Sequence, residues 1–173
     1  MIFKIKKHNL ELYNTLLELS RNKSFYNKIG LKDIFETRIY LMFFHFSIIL
    51  IIFKKKVIPF PQKVYDNLFH SIENNLRELG FGDVSVNKKM KDLNKILYDI
   101  LLKVNKSSNT FLMNEKLVKK YFAGLHESKE QKYAYFDDYF TKFYHFCFEI
   151  DPKIVIKEAI KFSPTHISWY QLT

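Results

Sequence analysis

The sequence predicts an all-α protein: one domain, a bundle of about six to eight helices packed round a single central apolar helix. Three observations lead there. Apolar residues recur three and four apart along most of the 173 residues. Residues that start and stop helices punctuate those stripes. No run alternates apolar and polar as a half-buried strand would.

The elements follow in order. Leu10, Leu12, Tyr13, Leu16, Leu17 and Leu19 give residues 9–21 one apolar side, with Glu11 and Glu18 left for solvent. A short turn or helix round Phe25 and Tyr26 closes at Gly30. Asp33 and Glu36 have the spacing of a capping box, so a helix of about 33 Å is expected over 33–55. From Leu41 onward it is apolar on almost every side, which suits a central element covered by neighbours. Its run from 40 to 53 is shorter than the roughly 20 residues of a membrane span; a membrane-dipping helix anchored by Lys54, Lys55 and Lys56 is the weaker reading. His45 and Ser47 are its conspicuous polar groups. A histidine there reads as a hydrogen-bonded core residue, with an axial haem ligand as the sharper alternative.

Pro61 suits the first turn of a helix running to Leu79, on which Glu73 and Arg77 form a pair four apart. The next helix, 86–104, has the cleanest pattern. Val86, Met90, Leu93, Leu97, Ile100, Leu101 and Val104 make its apolar stripe, and Lys88, Lys91, Lys95, Lys103 and Lys106 gather opposite with Asp92 and Asp99. Residues 106–109 read as a loop. Asn114 caps a short helix that Gly124 ends, and Ser128 with Gln131 marks a second capping box opening a helix to Ile150. That helix carries Tyr135, Phe136, Tyr139, Phe140, Phe143, Tyr144, Phe146 and Phe148 over more than half its circumference. Asp151-Pro152 should open a last helix through Lys161 that Pro164 terminates, and the tail 166–173 holds Trp169 and Tyr170.

The most specific stretch is 76–91, which joins two helical stripes through two of the four glycines. Gly80 follows the last apolar residue of its helix, where a left-handed backbone satisfies the orphan carbonyls and a Cβ would be strained. Gly82 permits a second turn, and Asp83 or Ser85 is placed to cap the following helix.

Leu76, Arg77, Glu78, Gly80, Gly82, Asp83, Val86, Lys88, Lys89 and Lys91 together resemble the ubiquinol-cytochrome c chaperone family. Upstream, Ser24 to Gly30, Asp33, Arg38, Met42 and His45 resemble its first half, so the likeness covers about 25–122. The chain departs from the pattern at Ile39, where the family tends to Phe, and at Lys119-Lys120, where it has Arg-Asn. The resemblance implies a chaperone of respiratory complex III assembly that binds newly made cytochrome b. The ribosome or a membrane surface would lie nearby on that reading; a second assembly factor or an anionic membrane surface is a further candidate partner, and DNA is not expected.

Composition bounds the rest. Net charge is +10, which favours anionic partners such as RNA or phospholipid headgroups. Only Arg21, Arg38 and Arg77 are arginine, so the forks that recognise phosphates and bases are almost absent, and the excess of Lys, Asn and Ile also fits an AT-rich coding sequence. A single Cys147 excludes an internal disulfide and the Cys-x-x-Cys-His haem attachment, and a reducing compartment fits. Residues 1–7 lack the apolar core of a secretory signal, so the expected location is cytoplasmic, with peripheral attachment to the inner membrane as a variant.

No phosphate-binding glycine loop, Gly-x-Ser-x-Gly motif or zinc-type spacing occurs. His145 with Cys147 and Asp137 with Asp138 point apart on a helix. No catalytic residue, metal ligand or cofactor is assigned, and a non-enzymatic protein is expected. The candidate client surfaces are the corner (Leu76, Arg77, Glu78, Gly80, Gly82, Asp83) and the aromatic helix (Tyr135, Tyr139, Phe143), although the rings of the latter read first as core filling. Lys88, Lys91, Lys95 and Lys103 form a candidate anionic-surface site or simply a solvated face. Two function classes stand: the assembly chaperone, and a basic helical module binding RNA or a membrane surface in an unrelated role.

Overall fold

A computed structural model of the protein describes residues 10–125 and 130–164. Its helices are α1 (Glu11–Ser20), α2 (Lys23–Asn27), α3 (Phe35–Lys55), α4 (Gln62–Glu78), α5 (Asp83–Lys103), α6 (Glu115–Tyr121), α7 (Glu130–Phe148) and α8 (Val155–Glu158), with 3-10 turns at Ala123–Leu125 and Ala159–Lys161. Among the described residues there is no strand, and an isolated antiparallel bridge pairs Asn105 with Met113. The all-α expectation holds.

α3 is the central element. By length and composition it could cross a membrane, yet thirteen of its 21 residues are buried in the bundle, with every residue from 41 to 49 enclosed. α1, α5 and α7 pack round it, and α1 also meets α4 and α8. Each large side chain so enclosed contributes roughly 1.5–3 kcal/mol of burial, which is why a helix apolar all round settles at the centre of a bundle. The exit of α3 is tied down as well. Lys56 donates to the carbonyl oxygens of Phe148 and Ile150 at the end of α7, and Lys55 lies over the Tyr144 ring. Two of the three lysines suggested as a headgroup anchor therefore serve the fold.

Several local signals found other uses. Asp33 does not cap α3, whose N-cap is Ile34 with no side-chain bond; its carboxylate instead takes the Arg38 fork at 2.6 and 2.9 Å. Neither Asp83 nor Ser85 caps α5: Gly82 is the N-cap, and Asp83 turns back to Arg77. Asn114 does cap α6, accepting from the Leu117 amide, but α6 ends at Tyr121 before Gly124. Asp151 accepts from the Lys153 amide and its carbonyl from the Ile154 amide, so 151–154 form a turn and the last helix starts only at Val155. The capping residue proposed at Ser128, the start 1–7 and the tail 166–173 lie outside the described residues.

The core is one contiguous cluster rich in rings. Phe25 of α2 meets Phe136, Tyr139 and Phe140 of α7, and Phe44 of α3 meets Phe122, Phe136 and Phe140. Edge-to-face and tilted pairs predominate, as ring quadrupoles favour.

Candidate functional site

The corner between α4 and α5 is a helix stop of the Schellman type. The Gly80 amide donates to the Arg77 carbonyl at 2.9 Å and the Phe81 amide to the Leu76 carbonyl at 3.2 Å, with Gly80 at φ +92°. Leu76 is buried and anchors the corner, while Glu78 faces solvent. Gly82, in extended backbone, then starts α5. Arg77 closes the structure from outside. Its guanidinium donates to Glu73 at 2.8 Å, one turn back, and to Asp83 across the glycines. The clamp leaves Leu79, Phe81 and Val84 exposed at its edge, Leu79 by 55%, with Lys89 placed 4.6 Å over the Phe81 ring. Fixed backbone and exposed apolar side chains here occur together.

Beside the corner lies a recess of about 360 Å³. Asp33, Arg38 and Met42 reach it from the start of α3, Leu17 and Arg21 from the end of α1, and Asn75 and Leu79 from α4. Residues singled out in two separate stretches of sequence thus meet at one end of the bundle. All three arginines are there too: Arg21 pairs with Glu18, Arg38 with Asp33 and Arg77 with Glu73 and Asp83. In a chain with 28 basic residues, three of them arginine, that concentration puts the rigid bidentate donors at this end and leaves the other basic positions to lysine. The Asn75 amide donates to the Tyr13 hydroxyl at 2.7 Å and fixes one wall. The Tyr26 hydroxyl donates to the Ser20 carbonyl at 2.7 Å nearby, and burial, followed by Asp33, pushes its pKa up.

The proposed lysine site divides in two. Lys88, Lys91 and Lys95 stand out from α5 into solvent, whereas Lys103 is bound to Asp99. Asp99 is largely enclosed and also accepts from Lys120 and from the Tyr121 hydroxyl, each at 2.6 Å. Burial alone would push the Asp99 carboxyl up; these three donors outweigh it and hold the carboxyl well below the usual carboxylate range. Lys103 therefore belongs to a clasp between α5 and α6.

The aromatic helix is not an open groove. Tyr139 and Phe143 are 1% and 0% exposed, because α7 turns its ring-bearing face onto α3, and neither offers a client any surface. Tyr135 is half-buried, with Lys28 5.1 Å over its ring. His45 is a satisfied core residue, both ring nitrogens engaged, and burial carries its pKa down to about 3. The Cys147 thiol is enclosed and pushed up by that burial, which removes thiolate chemistry from reach. Among the described residues no group of histidine, cysteine and carboxylate side chains gathers as a metal site.

One surface escaped sequence reasoning. At the opposite end of α4, about 25 Å from the corner, an apolar groove of about 390 Å³ lies between Phe53, Ile58, Pro59 and Val64 on one side and Pro152, Ile154 and Ile156 on the other. Val57 beside it is 88% exposed and sits at φ +57°, in the same helix-stop position that Gly80 holds. The sequence signal was the apolar run 57–61 directly after three lysines; its partner segment is a hundred residues away and only the fold brings them together.

Residues 27–120 match the family described as ubiquinol-cytochrome C chaperone. Neither a curated protein nor a solved structure matches the chain. The matched span runs from the end of α2 almost to the end of α6 and so contains α3, the corner, the outward lysines and Asp33, Arg38, Met42 and Leu79 of the recess; α7 and the 151–157 side of the groove lie beyond it. With more than half its length in that match, the chain belongs to the ubiquinol-cytochrome c chaperone family.

Proposed function

We propose that the chain is a non-enzymatic chaperone that holds newly made cytochrome b during assembly of respiratory complex III, working at the cytoplasmic face of the inner membrane. Family membership supports the chaperone role in complex III assembly. The client and its seat are inferred from surface chemistry. A membrane protein awaiting its partners exposes apolar segments, and a holder for them needs accessible non-polar surface with polar borders and no covalent chemistry.

The observation that carries the seat is the convergence of recess and corner. Ile34, Leu79 and Phe81 are exposed there, next to Met42 and Leu17, and the three paired arginines form the border. The Arg77 clamp and the Asn75–Tyr13 bond hold the walls in place before a client arrives, so little ordering entropy is lost on binding.

Capture of cytochrome b on the tagged protein tests this. Ile34→Ser with Leu79→Ser should fold and lose most capture, and Arg77→Ala or Asp83→Ala should weaken it. Val57→Ser with Ile154→Ser, in the distant groove, should retain it. Capture lost in the groove variant and kept in the corner variants would move the seat to the other end of α4; no capture by the native chain would remove cytochrome b as the client.

A further inference from the structure

The outward face of α5 is a single stripe of six residues: Val84, Lys88, Lys91, Lys95, Tyr98 and Leu102. At about 100° per residue they fall within an arc of roughly 80°, along about 27 Å of helix. They lie diametrically opposite the buried residues Val86, Leu93, Leu97, Ile100 and Val104, which pack toward α3 and α4. Val84 and Leu102, at the two ends, are 85% and 77% exposed. Lys88 and Lys91 have no acidic partner among the described residues, and Lys95 has only Asp92 on the flank, 3.9 Å away. Lys103, on the flank and bound to Asp99, is not part of the stripe. Tyr98, 56% exposed, completes the stripe between Lys95 and Leu102.

We propose that this face lies on a bilayer surface rich in anionic phospholipid. The three ammonium groups in the middle complement headgroup phosphates, and their methylene stems, with Val84 and Leu102, enter the boundary between headgroups and acyl chains. Tyr98 has an apolar body and a polar tip, the combination that settles at membrane interfaces. RNA fits the same face poorly. The stripe has no arginine to fork onto phosphate or base edges, offers one ring for stacking, and would leave its two most exposed aliphatic side chains without a role. A helix lying flat also uses all six residues at once, along one line. The consequence for the fold is orientation: the corner at the N-terminal end of α5 comes to the bilayer surface. The inference does not depend on which client the corner holds.

The test uses the full chain with Leu102→Cys labelled by an environment-sensitive dye; the native Cys147 is buried and does not compete for the label in the folded protein. The dye should shift to the blue with vesicles of equal parts phosphatidylcholine and phosphatidylglycerol at about 0.15 M salt, and not with phosphatidylcholine alone. Lys88→Glu, Lys91→Glu and Lys95→Glu together should weaken vesicle binding roughly a hundredfold or more. Val84→Ser with Leu102→Ser, followed by sedimentation, should weaken it about tenfold. Circular dichroism should stay native, since every altered side chain is exposed; should the reversal unfold the chain, the triple Gln variant replaces it, with an intermediate loss expected. Undiminished binding by the lysine variant, an unshifted dye on protein that sediments with vesicles, or tighter binding to single-stranded RNA or polyglutamate than to anionic vesicles would each overturn the proposal.

Discussion

His45 Nε2 accepts a hydrogen bond from the Tyr139 hydroxyl, 3.0 Å away and 94 residues further along the chain, in a fully enclosed part of the core. The other ring nitrogen lies 2.7 Å from the Leu41 carbonyl, which can only accept, so Nδ1 carries the hydrogen and Nε2 the lone pair. The ring is neutral, and α3 is joined to α7 by a polar contact inside an otherwise aromatic layer.

That geometry sets a dependence on pH. Burial carries the native His45 pKa down to about 3, while the unfolded imidazole titrates near its usual 6.5. Between those values the unfolded chain binds a proton that the native one refuses. The His45 contribution is therefore complete above about pH 7 and declines by about 1.4 kcal/mol per pH unit as pH falls from 6.5 toward 3. Asp137, whose carboxyl burial pushes up, acts in the opposite sense near the bottom of that range. The urea midpoint should fall between pH 7 and pH 5; an unchanged midpoint would contradict the neutral, buried ring.

The two helix stops at Gly80 and Val57 make a matched pair. Val57 repeats the bonds of Gly80, its amide donating to Lys54 and the next amide to Phe53, yet it is β-branched at positive φ. Nothing lies within 4 Å of a Cβ built at Gly80, so Gly80→Val should cost the backbone strain alone, about 1–3 kcal/mol. Val57→Gly should stabilise the fold by about 0.5–1 kcal/mol, strain relief less the added chain entropy. Thermal midpoints moving the same way in both variants would refute this.

Ser47 Oγ is buried in α3 with no hydrogen-bond partner among the described residues. Ser47→Ala removes an unsatisfied polar atom and improves helix propensity, so denaturant unfolding should show a gain of about 1–2 kcal/mol. A loss of stability would mean the hydroxyl is bonded in solution.

The sequence spoke most clearly where the determinant is local. Gly80 and its neighbours announce a helix stop by themselves, and the unbroken apolar stretch after Leu41 announces a covered helix. Asp33, Asp83 and Asp151 misled because a carboxylate near a helix start has several partners within reach: Arg38, Arg77 and the Lys153 amide took them. The rings of α7 were visible in number but not in direction, since only packing against α3 decides that Tyr139 and Phe143 face inward. The recess joins Arg21, Asp33, Arg38 and Leu79 through the fold, and the distant groove joins residues a hundred apart; no periodicity within one helix encodes either. Lys103 looked like its neighbours until Asp99, with Lys120 and Tyr121, claimed it.

Deletion of the gene shows whether this chain serves complex III assembly. Ubiquinol–cytochrome c reductase activity and the cytochrome b haem absorbance in membranes should fall together, while succinate dehydrogenase in the same membranes stays unchanged, and the native gene should restore both. Full reductase activity and normal cytochrome b in the deletion strain would mean that the chain has no part in complex III assembly.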